Sequence, residues 1–202
     1  MSKVILNISM SLDGFIAGTN DSQKQPLGDQ GEILQRWMFS GDIASQTNDF
    51  FKLSTINKNI FDSAAEKTGA MIVGRRTYDI VNGWGGSHPL RHVPLFVLTH
   101  NVPDSPPSGS TPFTFITDGV EQAVKQAKEV AGSKDVSVGT ASVAQQCIQL
   151  GLLDGLDLHI APVLLSKGIR LFDHIGQQRV TLRSTEVVKG TGAIHVKYDV
   201  IK

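Results

Sequence analysis

The stretch AMIVGRRTYD, residues 70–79, is the part of the chain from which the fold can be worked out. Its first four residues form an uninterrupted apolar run, which is typical of a buried strand. Gly74 ends that run, and RRTYD begins a short helix that is predicted to stop near Gly83. A strand that leads directly into a helix is the repeating unit of α/β sheets.

A second strand-to-helix unit has the same order in DVSVGTASVAQQC, residues 135–147. The run DVSV predicts a strand, and GTAS leads into a helix that carries Cys147 on its apolar face. Between the two units, residues 118–132 show the 3.6-residue period of an amphipathic helix. We expect Asp118 to cap that helix and Gly132 to end it.

The last quarter of the chain has the pattern of strands alone. Apolar and polar residues alternate over 156–160, where Asp157 and His159 take the polar positions. Two further strands, at 179–189 and 194–200, are joined by a GTG turn. Strand–helix alternation followed by strands predicts an α/β fold with a mixed, mainly parallel sheet flanked by helices, and with antiparallel strands at its C-terminal end.

The N-terminal part begins with an alternating strand at residues 4–12 and a short apolar return at 15–17. Residues 19–57 are different, because they are rich in loop-forming residues and show a helical pattern only at 33–39. Irregular stretches of this length inside compact domains are usually functional or disordered. We interpret 19–57 as an insertion or lid within a single domain that spans residues 1–202.

The composition excludes several classes of protein. Lys plus Arg and Asp plus Glu number 19 each, so the net charge is zero and no global basic field favours nucleic acid or an anionic membrane. The apolar runs are far shorter than a membrane span. Cys147 is the single cysteine, which excludes an intrachain disulfide. We therefore expect a soluble, cytoplasmic protein.

The turn at residues 74–77 has the chemistry of a phosphate site. It lies where a buried strand ends and a helix begins, a place where free N–H groups and the helix dipole favour anions. Glycine permits close approach of a ligand, arginine offers forked donors and threonine adds a hydroxyl. The alternative is a capped helix with solvated arginines. The residues concerned are Gly74, Arg75, Arg76 and Thr77.

The turn at residues 139–142 repeats that arrangement with small residues. Its alternative interpretation is an ordinary turn in which Thr140 or Ser142 is the N-cap. Two such turns in one sheet favour a dinucleotide, whose phosphates can use both. The Rossmann fingerprint GxGxxG and the P-loop are both absent from the sequence.

Neither a metal site nor a nucleophile is predicted. The six histidines show no paired ligand spacing, and no GxSxG elbow occurs. Cys147 is predicted to be a core residue. Trp37 and Trp84 lie in loop-like contexts, where pocket lining and ordinary packing are both open.

With these elements in order, the chain resembles the dihydrofolate reductase superfamily, and most closely the branch with the reductase domain of the bifunctional riboflavin-biosynthesis deaminase-reductase. Three motifs carry the resemblance: ISMSLDGFIAG at 8–18, AMIVGRRTYD at 70–79 and DVSVGTASVAQQCIQLGLLDGLDLHIAPVLL at 135–165. The resemblance covers nearly all of the chain outside 19–57. It implies a three-layer, dihydrofolate reductase-like fold with NADPH bound across the carboxyl ends of the strands.

The resemblance also assigns cofactor contacts by position. Those at the nicotinamide would be Ser9, Ile16 and Ala17. Those at the 2′-phosphate and pyrophosphate would be Gly74, Arg75, Arg76 and Thr77. Those beside the adenosine would be Leu98, Thr99 and His100. Those that cradle the pyrophosphate would be Gly139, Thr140, Ala141, Ser142 and Val143.

The chain departs from the family pattern at several points. Thr140 stands where many relatives have the second glycine of a pair, and Val138 where the riboflavin-pathway reductase usually has an acidic residue. The zinc signature of the deaminase half is missing. The candidates for a folate-type carboxylate are Asp49, Asp62 and Glu66. A general acid therefore stays unassigned.

Together, the two turns and the resemblance predict an NADPH-dependent oxidoreductase that reduces a small, heterocyclic substrate of pterin or pyrimidine type by hydride transfer. The alternative is a non-catalytic module that binds a nucleotide or another small molecule on the same fold. Relatives in the riboflavin branch often pair through their C-terminal strands. The alternating C-terminal tail therefore predicts a homodimer.

Overall fold

The computed structural model describes residues 2–177 and 179–202. Its strands are β1 (Val4–Ser11), β2 (Phe15–Ala17), β3 (Ile43–Ala44), β4 (Lys52–Leu53), β5 (Thr68–Gly74), β6 (Leu95–Leu98), β7 (Phe113–Ile116), β8 (Asp135–Val138), β9 (Gly155–Ala161), β10 (Ile169–Arg170), β11 (Thr181–Lys189) and β12 (Ile194–Ile201). Its helices are α1 (Thr55–Lys67), α2 (Arg75–Ile80), α3 (Val120–Ala131) and α4 (Ala141–Gln149), with 3₁₀ helices at Gly31–Phe39 and Asn82–Gly86.

Eight strands form the central sheet, in the order β11-β12-β9-β1-β8-β5-β6-β7. Every pair from β9 to β7 is parallel, whereas β12 runs antiparallel to β9 and β11 antiparallel to β12. The predicted mixed, mainly parallel sheet with antiparallel C-terminal strands is confirmed. Parallel strands need helical crossovers, and α3 and α4 provide two of them on the same face.

The main core lies between the sheet and helices α3 and α4. Because side chains alternate across a strand, Ile72 and Phe96 enter this core while their neighbours Val73 and Val97 face the other side of the sheet. The apolar stripe of α3 is buried against the sheet, as its period predicts. Cys147 is fully buried here, which confirms it as a core residue, and burial raises its thiol pKa to about 12.

On the opposite face, α1 and the 3₁₀ helix Gly31–Phe39 form the third layer. Residues 19–57 therefore carry ordered elements, including this helix and the β3–β4 hairpin, where the sequence showed only one short helical pattern. Trp37 and Phe51 from this segment pack in a second core cluster with Leu53 and Ala193. The segment is thus held by aromatic packing rather than by a regular sequence period.

The start of α3 differs from the prediction. Gly119 occupies the N-cap position with a φ of 91°, and no side chain caps the helix. The predicted capping role of Asp118 is wrong, because the residue lies one position before the cap. Gly132 ends the helix in the left-handed region as expected.

Across the described residues, no helix combines the length and the apolar character needed to cross a membrane.

Candidate active site

A cleft of about 710 Å³ lies on the sheet face opposite α3 and α4. Strand residues form its floor: Asn7, Ser9, Met71, Val73, Ser137 and His159. Aromatic residues of the 19–57 segment and of α1 form one side, which we call the aromatic wall: Trp37, Phe39, Phe50, Phe51 and Phe61. Trp84 also lines the cleft, so both tryptophans of the chain contribute to a pocket.

The structure places part of the predicted cofactor site in this cleft. The predicted residues that line it are Ser9, Ile16, Ala17, Arg76, Thr77, Gly139 and Thr140. The predicted residues outside its lining are Gly74, Arg75, Leu98, Thr99, His100, Ala141, Ser142 and Val143. Among the latter, Ala141 and Val143 are buried in the main core, whereas His100 is exposed.

The two strand-to-helix turns are in direct contact. The Gly74 N–H donates a buried hydrogen bond of 3.1 Å to Thr140 Oγ1, so this hydroxyl joins the ends of β5 and β8. A Cβ added at Gly74 would lie 2.9 Å from Ser142 Oγ, so a larger residue there would require the Ser142 side chain to move. At Gly139 the nearest atom to an added Cβ is Met71 Sδ at 3.8 Å, so the cleft in front of Gly139 is open.

The two arginines of the first turn have different partners. Arg75 donates through Nη1 to Thr99 Oγ1 at 3.2 Å and through Nε to Asp79 Oδ1 at 2.8 Å. Arg75 therefore connects the start of α2 to the end of β6. Arg76 instead forms a two-contact ion pair with Asp21, whose carboxylate raises the pKa of Arg76.

One hydrogen bond connects the aromatic wall to the floor of the cleft. Trp37 Nε1 donates to Ser9 Oγ at 2.8 Å, and Trp37 is almost fully buried. Ser9 is also the residue expected at the nicotinamide. The 19–57 segment is thereby fixed to β1 at the place where the cofactor and a substrate would meet.

A row of polar residues crosses three adjacent strands behind Trp37, and its two histidines were not predicted to belong to the site. Strand register places Ser9 of β1 beside His159 of β9, and His159 beside His195 of β12. The two histidine Nδ1 atoms are 2.8 Å apart, and the ring of Trp37 lies 4.4 Å from that of His159. Only His159 of this pair lines the cleft.

The hydrogen bonds of Asn57 show which nitrogen of His195 carries a proton. The Asn57 amide nitrogen lies 2.8–2.9 Å from the Trp37 and Thr191 carbonyl oxygens and Ser40 Oγ, so its oxygen faces His195 Nε2 at 3.2 Å. His195 Nε2 must therefore carry a proton. Burial lowers the pKa of His195 to about 4 and that of His159 to about 3, which keeps both rings neutral. The two Nδ1 atoms therefore share one proton, and the contact of His159 Nε2 with Asn7 Oδ1 at 3.3 Å also bears on which ring donates it.

A buried carboxyl group completes this network. Asp157 Oδ2 accepts from Asn7 Nδ2 at 3.4 Å, while Asp157 Oδ1 has no hydrogen-bond partner. Burial raises the pKa of Asp157 to about 6, against the opposing charge of Lys197. The polar alternation of Asp157 and His159 in the sequence was the available signal for this network, and a similar alternation occurs at His195 and Lys197.

A sequence profile of the RibD C-terminal domain matches residues 2–196 of the chain. The chain belongs to the RibD C-terminal domain family. YyaP, an uncharacterized protein of Bacillus subtilis (strain 168), is 26% identical to this RibD C-terminal domain over 207 residues, which cover 97% of the chain and 94% of YyaP. Family membership supports a reductase and confirms the predicted branch.

Solved structures agree with this RibD C-terminal fold. A candidate riboflavin biosynthesis protein from Shewanella sp. PV-4 superposes with a TM-score of 0.73 at 18% identity, over 99% of both chains. Dihydrofolate reductase from Enterococcus faecalis, complexed with NADP(H) and RAB-propyl, gives a TM-score of 0.55 at 14% identity, over 99% of this chain and 97% of its own. The predicted dihydrofolate reductase-like fold is confirmed.

The predicted carboxylates of this RibD C-terminal domain lie away from the cleft. Asp62 is held by Lys58 at 2.6 Å and by Ser45, and these partners lower its pKa although burial opposes them. Asp49 is exposed and lies 4.0 Å from Arg91, and Glu66 is exposed on α1. None of the three predicted carboxylates lines the cleft, so none of them is placed to protonate a substrate there.

Proposed function

We propose that this RibD C-terminal domain is a cytoplasmic, NADPH-dependent reductase that transfers hydride to a small heterocyclic substrate, of pterin or pyrimidine type, in the cleft. The observation that carries the proposal is the contact between the two turns, which joins Gly74 to Thr140 and leaves open space in front of Gly139. Membership of a reductase family supports the reaction class. The similarly folded Enterococcus enzyme binds NADP(H), which supports the cofactor.

The residues present fit a dinucleotide. The absent side chain of Gly139 leaves room for a pyrophosphate beside the N-terminus of α4. Arg75 Nε pairs with Asp79, and the remaining guanidinium donors of Arg75, 3.2 Å from Thr99 Oγ1 at the nearest, would serve a 2′-phosphate. Ser9, Ile16 and Ala17 would contact the nicotinamide, which supplies the hydride when NADPH is bound. The remaining assigned contacts, made by Leu98, His100, Ala141, Ser142 and Val143, are part of the same proposal.

Titration with NADPH and with NADH, followed by cofactor fluorescence, tests the proposal. The unaltered protein is expected to bind NADPH saturably and to prefer it to NADH. Replacing Arg75 with alanine is expected to weaken NADPH binding about 10- to 30-fold, the loss of a charge-assisted contact, with little effect on NADH, which lacks the 2′-phosphate.

Arg91→Ala serves as the matched control, because Arg91 also pairs with an aspartate but lies outside the lining of the cleft. Absence of saturable NADPH binding would refute the proposed cofactor. An equal loss for NADPH and NADH in Arg75→Ala would remove Arg75 from the 2′-phosphate site.

A second candidate function is a non-catalytic binding module on the same fold. The observation that favours it is the position of Asp49, Asp62 and Glu66 outside the lining of the cleft. Tight NADPH binding without turnover of pterin, pyrimidine or carbonyl compounds would support this candidate. Turnover of any of these compounds would exclude it.

We also propose that the domain forms a homodimer through β11. This edge strand is exposed along nearly its whole length, and Val187 on it is 65% exposed. Static light scattering is expected to give twice the chain mass, and Val187→Lys is expected to shift the protein to the monomer. Ile56→Lys, at an exposed position of α1, is the control. A monomeric mass for the unaltered protein would contradict the proposal.

A further inference from the structure

The aromatic wall makes the substrate side of the cleft chemically distinct from the cofactor side. Its rings form a continuous chain of contacts, with centroid distances of 5.3 Å from Phe39 to Phe50, 5.3 Å from Phe50 to Phe51, and 4.7 Å from Phe51 to Phe61. Trp37 extends the chain to the floor at 6.2 Å from Phe61. Trp37 and Phe51 are almost fully buried and support the two exposed rings of the wall, Phe39 and Phe50.

The outer end of the wall faces solvent. Phe39 is 48% and Phe50 is 64% exposed, so a ligand that stacks against them would cover apolar surface. Exposed rings beside a cleft with polar groups on its floor are typical of a ligand site rather than of a core. Apolar burial and ring stacking would therefore supply much of the binding energy of the substrate.

The charges that line the cleft do not favour an anionic substrate. They are two carboxylates and two cations: Asp21, Glu32, Lys24 and Arg76. Arg76 already pairs with Asp21, and it belongs to the turn that we assign to the cofactor. The histidines in the lining are neutral, since burial lowers the pKa of His88 to about 4 and of His159 to about 3.

Another cation, Arg91, lines a neighbouring pocket of about 610 Å³ that shares Phe50, His88 and Pro89 with the cleft. Arg91 is 67% exposed in its side chain and lies 4.0 Å from the Asp49 carboxylate. An anionic group beyond the aromatic wall would meet this solvated, partly neutralised pair rather than a dedicated site.

We propose that the substrate of the cleft is a planar, uncharged heteroaromatic compound, without phosphate or carboxylate groups, that stacks against the aromatic wall. This inference rests on the proposed reductase function and narrows its substrate class. Ser9 and Ser137 on the floor provide hydroxyl groups for the polar edge of such a ring.

Riboflavin and riboflavin 5′-phosphate are suitable probes, because they share one planar ring system and differ only in the phosphate. Binding is followed by quenching of flavin fluorescence, with and without NADP⁺. We expect riboflavin to bind at least about tenfold more tightly than its phosphate, since burying an unpaired phosphate costs more than 1.4 kcal/mol.

Phe50→Ala is expected to weaken riboflavin binding about fivefold to tenfold, as loss of one stacking partner does. Phe172→Ala, at another exposed phenylalanine that does not line the cleft, is the control and should leave the affinity unchanged. Arg91→Ala should not change the preference for the unphosphorylated probe.

Equal or tighter binding of the phosphate, failure of both probes to bind, or equal effects of Phe50→Ala and Phe172→Ala would overturn the substrate class. NADP⁺ binding is measured separately by calorimetry. Selective riboflavin binding without NADP⁺ binding would refute the cofactor while leaving the substrate class intact. NADP⁺ binding together with a preference for riboflavin 5′-phosphate would refute the substrate class while leaving the cofactor intact.

Discussion

Replacing Asn57 with alanine is expected to lower the free energy of unfolding by about 3–4 kcal/mol, a large value for one substitution. Asn57 is fully buried, and its amide nitrogen lies within hydrogen-bond distance of Trp37, Ser40 and Thr191. Its oxygen accepts from the Thr191 N–H and faces His195 Nε2. Alanine would leave several buried polar groups without partners, and each of them costs more than the net value of a hydrogen bond.

Urea denaturation followed by circular dichroism measures this effect as a change in midpoint at constant slope. Asn59→Ala is a close control, since Asn59 lies on the same helix but is exposed, and its change should stay within about 0.5 kcal/mol. If the two alanine variants were equally stable, Asn57 would not hold the 3₁₀ helix and the β11–β12 turn together.

Gly139→Val is expected to weaken binding of both NADPH and NADH by about 100-fold or more, which corresponds to about 2.7 kcal/mol. The Gly139 backbone is outside the left-handed region, and an added Cβ meets no protein atom closer than 3.8 Å. A Cβ would thus be accepted by the fold, and the two further carbons of valine are expected to occupy the space that we assign to the pyrophosphate.

The decisive comparison is between cofactor affinity and thermal stability. Fluorescence titration should show the loss of binding, and differential scanning calorimetry should show a melting temperature close to that of the unaltered protein. Gly139→Ala should give an intermediate affinity, because it adds a single carbon. Normal NADPH affinity in Gly139→Val would place the pyrophosphate elsewhere.

Local sequence patterns were sufficient to predict the elements of the sheet. The apolar run before Gly74 and the periodic stripe of α3 each depend on neighbours within the same element, and the structure confirms both. The cap of α3 could not be predicted from local sequence alone. Asp118 and Gly119 are both acceptable N-cap residues, and the structure has Gly119 at the N-cap.

The polar network behind the cleft could not be predicted in the same way. His159 and His195 meet only because β9 and β12 pair in one register, and that register depends on the whole sheet. The contact between Trp37 and Ser9 likewise joins a segment without a clear period to the first strand. The alternation of apolar and polar residues in the sequence indicated which positions are polar. The strand order that brings these positions together depends on the tertiary structure.

The central position of β1 has a consequence for how the chain reaches this structure. β1 lies between β8 and β9, and a hydrogen bond from the Val4 N–H to Asp154 Oδ2 spans 150 residues. During synthesis, β1 is made before both of its partner strands. Its apolar side chains therefore stay exposed until β8 and β9 have also been made. Such non-local pairing slows folding and lengthens the time in which the chain is prone to aggregate.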